Sequence, residues 1–257
     1  QTICVISAST STTGKDCDSA SGKPSSRKTA NGSFLYRVSG GALQNRWKEI
    51  AWYGMRFKIP ADWQLNQIGI RYLSIEDEFG PVMEIKWAPV KGQFSHSAHL
   101  KRLSALQNRQ LRKSIKPEPL SSEWAQTLSD FKASEFSWRS HSNHGRGVLL
   151  YCPICHNAAL VQFFLKDSNR TPSVASDILG SIRDHRSDGQ NLWAAYDIRA
   201  LVPESYGLKS YRFEAGQYEL DFAEGNQHVI LYRWSMASVL LDKQDLVQFA
   251  KTVVSFD

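Results

Sequence analysis

Two stretches of this chain, residues 55–87 and 198–234, run through one succession of side chains, so any fold has to accommodate that succession twice. Met55, Phe57 and Ile59 alternate with Arg56 and Lys58 before Pro60, and Trp63 follows three residues on. Ile198, Ala200 and Val202 lead in the same way into Pro203, with Tyr206 three residues on. Alternation of period two marks a half-buried strand, because successive side chains leave opposite faces of the pleat. Ile68, Ile70 and Tyr72 in the first stretch, and Tyr218, Leu220 and Phe222 in the second, predict a further strand. The first stretch ends on the strand Val82–Trp87, closing in Ile-Lys-Trp; the second ends on Val229–Trp234, closing in Tyr-Arg-Trp.

A helix is predicted after each. Ala98 to Lys116, capped by Ser97, gathers Leu100, Leu103, Leu111 and Ile115 on one side; near the C-terminus, Asp242 caps a helix whose apolar face is Leu246, Phe249, Ala250 and Val253. Only the first stretch continues further. Phe131–Trp138, Val148–Tyr151 and Ala159–Leu165 predict three sequential strands, a meander. Thr171-Pro172 then opens a helix that buries Val174, Ile178, Leu179 and Ile182, and Asp184–Asn191 is polar.

At 257 residues and 42% hydrophobic, the chain is near the size at which one domain becomes two. The expected division is an N-terminal arm over 1–46, a full module over 47–185, a linker over 186–192 and a partial second module over 193–257. From Ser7 to about Ser33 almost no large apolar residue is available to offset ordering entropy, so a flexible arm is expected, with an edge strand at 34–38. Charges interrupt every apolar run well short of the roughly 18 to 20 residues a membrane-spanning helix needs, so the chain is expected to be soluble. The opening Gln1–Ile6 lacks a positive leader and does not read as an intact signal peptide, and the compartment stays open.

The runs Trp47-Lys-Glu-Ile, Gly54-Met-Arg-Phe-Lys-Ile-Pro60-Ala-Asp-Trp63 and Gly80-Pro-Val-Met-Glu-Ile-Lys-Trp87 resemble the opening of the MOG/PsbP-like fold, as found in tandem in uncharacterised prokaryotic proteins. The resemblance implies an α/β (α+β) architecture, an antiparallel sheet sandwiched by helices, with a partial second copy. It implies a binder rather than an enzyme: PsbP attaches to photosystem II, and the Mog protein binds the GTPase Ran. Fold alone transfers no partner.

Two constellations carry chemistry. On the predicted helix, Lys101, Arg102, Arg109, Arg112, Lys113 and Lys116 fall within an arc of roughly 120°, with no acidic residue among them. Such a face is either simply solvated or docks on an anionic partner, in line with a net charge of +6. The other is Cys152-Pro-Ile-Cys155-His156, at a turn of the meander. It reads as structural thiols, as part of a zinc site, or as a reversible disulfide. His144, eight residues before Cys152 on an extended strand, is roughly 26 Å away, so a local four-ligand site with His141, His144 or His156 is not expected. Cys4 and Cys17 are spaced to close a small loop in an oxidising compartment. No glycine-rich phosphate loop, nucleophile elbow or His-Glu-x-x-His motif is present, and the aromatics fall in strand patterns rather than stacking platforms, which supports nucleic acid weakly. The expectation is a non-enzymatic binding or accessory subunit, without a cofactor, docking on an anionic protein or other anionic partner. The alternative is a metal-binding or thiol-redox protein centred on Cys152 and Cys155, with zinc as the metal.

Overall fold

The structure, a computed structural model, describes residues 3–10, 46–102, 114–140, 143–165, 174–185 and 188–253. Two compact units form, one of residues 44–202 and one of residues 203–257 with the N-terminal strand. Both are built on antiparallel sheet, and the described chain is mainly β.

The larger unit holds two sheets. In chain order its first elements are β2 (Trp47–Trp52), β3 (Met55–Pro60), β4 (Gln64–Gly69), β5 (Tyr72–Asp77), β6 (Gly80–Pro89), the helical residues 96–102 (α1), β7 (Ser114–Glu118) and α2 (Ser122–Thr127). Then come β8 (Lys132–Arg139), β9 (His144–Tyr151), β10 (Asn157–Leu165), α3 (Ala175–Gly180), β11 (Gln190–Ala195) and β12 (Ile198–Pro203). The seven-stranded sheet has the order β4-β5-β6-β10-β9-β8-β7, and the four-stranded sheet the order β12-β11-β2-β3. The alternation in β3 buries Met55, Phe57 and Ile59 and exposes Lys58, as its period requires. Two indoles pin the sheets together: Trp52 Nε1 donates to Gly69 O at 3.0 Å, and Trp87 Nε1 to Tyr53 O at 3.2 Å.

The meander β8-β9-β10 forms as expected, and two glycines on β9 explain how closely it packs. Gly145 and Gly147 lie opposite Trp138 and Phe136 on β8, whose rings cross over the bare backbone. A Cβ at Gly147 would stand 2.4 Å from Phe136 Cζ and 2.6 Å from Val161 O. Between the glycines, Arg146 bonds the carboxylate of Glu135 through Nε (2.9 Å) and Nη2, and its guanidinium sits 4.6 Å above the ring of buried Trp124. The second oxygen of Glu135 accepts from Ser121 N at 3.0 Å, so a carboxylate only 3% exposed is fully engaged.

The smaller unit is one four-stranded sheet, β1-β15-β14-β13, built from β1 (Ile3–Thr10), β13 (Gly207–Glu214), β14 (Gln217–Glu224) and β15 (Gln227–Trp234). The helices α4 (Ala237–Leu240) and α5 (Leu246–Val253) complete it, with Phe249 edge-on to Trp234 at 5.1 Å.

Several expectations are corrected. The helix predicted through Lys116 does not reach it: Ile115 and Lys116 lie on β7, opposite Trp138 and Ser137 of β8. Pro117 biases Lys116 away from helix and, lacking an N–H, is tolerated on an edge strand such as β7. Ile70 is 72% exposed at the β4–β5 turn rather than inside a strand. The helical cap near the C-terminus is Asp245, whose Oδ1 accepts from Gln248 N at 2.8 Å, not Asp242. The linker expected at 186–192 overlaps β11, which pairs with β2 and so belongs to the larger unit. Ser7–Thr10, expected within the arm, are strand residues paired with β15, because a free strand edge satisfies backbone groups whatever the side chains. The rest of the arm, with Cys17 and the 34–38 strand, lies outside the described residues.

Arg146→Ala leaves Glu135 buried without its partner and should destabilise the chain by about 3 kcal/mol in denaturant titration. Gly147→Ala should cost about 2 kcal/mol in the same assay by overpacking.

Candidate metal centre

The thiol pair is placed by the turn between β9 and β10. Cys152 N donates to Asn157 O at 2.9 Å and His156 N to Cys152 O at 3.1 Å, closing the turn, and Val90 N donates to His156 O at 2.9 Å, tying it to the end of β6. His156 adopts a left-handed φ of 58°, which reverses the chain directly after Cys155. Cys152 is buried and Cys155 half-buried.

A second segment brings the remaining donors. Ile178, Leu179 and Ile182 bury the face of α3, and Arg183 then forms a two-way backbone bridge to Arg56 of β3, both bonds 2.8 Å. That bridge delivers Asp184 and His185 to the thiols. Cys155 Sγ donates to Asp184 Oδ2 at 2.9 Å, His185 Nδ1 lies 2.7 Å from Asp184 Oδ1, and Cys152 Sγ lies 3.8 Å from His185 Nδ1. Asn157 Nδ2 adds a bond to Cys155 Sγ at 3.2 Å. The four donor atoms of Cys152, Cys155, Asp184 and His185 lie within 4.8 Å of one another.

This set fits a tetrahedral divalent ion. Bonds of about 2.3 Å to sulfur and about 2.0 Å to nitrogen or oxygen hold ligand atoms roughly 3.3 to 3.8 Å apart, close to the spacing present. Two sulfurs with one imidazole and one carboxylate suit zinc, whereas calcium and magnesium take oxygen donors. Four candidate donors are thus grouped where the local sequence offered two, and the further two, Asp184 and His185, come from residues read as polar connecting sequence. His156 is not among them: its Nδ1 faces Tyr151 Oη at 2.7 Å. His144 opens β9 at the end opposite the thiols, and His141 lies outside the described residues. An adjacent Asp-His directly after an amphipathic helix was the signal to find.

The basic constellation is not brought together in the same way. Lys101 and Arg102 are exposed on α1, Lys116 stands on β7 with its ammonium 3.5 Å from Glu118, and Arg109, Arg112 and Lys113 lie outside the described residues. Among the described residues no helix is long and apolar enough to cross a membrane.

Burial, and secondarily the hydrogen bond to Asp184, push the Cys155 thiol up to about 12. In the metal-free protein at pH 8 Cys155 is then held as the thiol, so iodoacetamide should modify it far more slowly than an ordinary thiol. Asp184→Asn removes the charge but not the burial and should recover about tenfold in rate, read by peptide mass spectrometry.

No family model matches the chain, and no curated protein matches it. Among solved structures it is similar to a protein from Bacteroides thetaiotaomicron VPI-5482, at 14% identity and a TM-score of 0.34, over 58% of this chain and 53% of that one. The match thus spans about half of that protein's length.

Proposed function

We propose that this chain is a non-enzymatic binding or accessory protein of the MOG/PsbP-like kind, stapled by one structural zinc ion held by Cys152, Cys155, Asp184 and His185. The observation that carries the zinc is the convergence of four donors within 4.8 Å from segments about thirty residues apart. Four protein ligands complete a tetrahedral shell, which is the pattern of a structural site rather than of one with an open position for substrate. The raised Cys155 thiol disfavours a redox nucleophile there, because the thiolate is the attacking form.

The tandem character of the fold is part of the same proposal, and four observations support it. The order β2 to β6 is echoed by β11 to β15. The hairpin turns Tyr53-Gly54 and Tyr196-Asp197 share left-handed φ at both positions, and Trp63 N→Pro60 O (3.2 Å) is matched by Tyr206 N→Pro203 O (3.0 Å). Ala51 of β2 stands opposite Ala194 of β11, each two residues before its turn tyrosine, which is the pairing two copies make across a local two-fold axis. Partner binding would then rest on exposed cations such as Lys101 and Arg102.

Elemental analysis of the full chain purified with zinc supplied should find about one zinc per chain, lost in Cys152→Ser. Chelation should lower the melting temperature by roughly 10 °C, since a structural ion contributes its binding energy to folding. A wild-type chain that retains no zinc, with a melting temperature indifferent to zinc and chelator, would refute the proposal.

A further inference from the structure

The seven-stranded sheet offers a second site, on the face turned away from the thiols. Cross-strand register puts Leu160 of β10 between Lys86 of β6 and Leu149 of β9, so these side chains share one face. Leu100 of α1 covers part of that face, packing with Phe136, Trp138 and Leu149. Beside it, an open cleft of about 540 Å³ is lined by α1, the end of β6, β9 and β10, within the range that holds a small organic ligand. Its floor is apolar, formed by Leu149 and Leu160.

The charged side chains of the walls are all cations. Arg102 lines the cleft from α1, beside His99, and Lys86 and Lys91 line it from the strand side; no carboxylate is among the lining residues. Lys86 is held in place, 3.9 Å from Glu84 and 4.8 Å from the centre of the Tyr72 ring. Lys91 and Arg102 are exposed and, among the described residues, have no carboxylate partner.

We infer that this cavity binds a small amphiphilic anion, its apolar body on Leu149 and Leu160 and its carboxylate, sulfonate or phosphate between Arg102 and Lys91. Convergent cations around a concave apolar floor select for one charge attached to one apolar body. A polyanion gains instead from an extended track of cations, whereas the cations lining this open cleft are Lys86, Lys91 and Arg102. The site is independent of the zinc proposal: both thiols lie in the turn after β9, and Cys155 meets Asn157, whose side chain leaves β10 on the face opposite Ala158 and Leu160.

The probes are anilinonaphthalene sulfonate and its uncharged analogue phenylnaphthylamine, titrated by fluorescence into the full chain. The sulfonate should bind about tenfold more tightly than the neutral amine. Lys91→Gln/Arg102→Gln should lose that advantage and leave amine binding and the melting temperature unchanged, because both side chains are exposed. Ala158→Trp, which fills the cavity from the same face, should weaken both probes. Equal binding of the two probes, or a double variant that binds the sulfonate as the wild type does, would overturn the inference.

Discussion

The larger unit carries a carboxylate, Asp184, buried beside two thiols and one imidazole, and the site's chemistry depends on how that negative charge is compensated. An ionised carboxylate out of water is costly unless paired, and among the described residues no Lys or Arg pairs with it. In the metal-free chain the compensation comes from Cys155, kept as a thiol donating to Asp184, and from His185. A divalent ion would compensate better: Cys152 and Cys155 as thiolates, with Asp184 and His185, would hold it.

The fold serves that cluster by fixing two otherwise independent segments. The β9–β10 turn is held by the sheet on both sides, and β9 itself is locked by aromatic rings over Gly145 and Gly147 and by the Arg146–Glu135 pair. The Asp184-His185 segment is held by the buried face of α3 and the bridge from Arg183 to Arg56. A metal ion joining these segments would cross-link the meander to the elements that follow it. Such a cross-link stabilises mainly by restricting the unfolded chain, as a loop closure does.

Legibility in the sequence followed the range of the physics involved. Strands β3, β6, β8, β10 and β15 were readable because burial on one face imposes a period of two, and the thiol pair because Cys-Pro-Ile-Cys is local. β13 was missed: a register shift between Leu208 and Ser210 breaks its period, and Leu208, Tyr211 and Phe213 are only half-buried. Ile115 was misread because its apolar spacing from Leu111 fits a helix and outweighed the signal of Pro117 two residues on; its pairing with Trp138 makes it strand. Asp184 and His185 were read as connecting sequence because their role arises from a tertiary bridge that no local pattern reports.

Cobalt(II) substitution tests the central claim most directly, because its absorption reports both coordination number and ligand type. The four-ligand centre predicts intense tetrahedral ligand-field bands and a charge-transfer band scaled to two thiolates, saturating at one cobalt per chain, with Asp184→Asn or His185→Ala shifting the ligand-field bands and Cys155→Ser halving the charge transfer. A weak octahedral spectrum without thiolate charge transfer, unchanged by these substitutions, would contradict it.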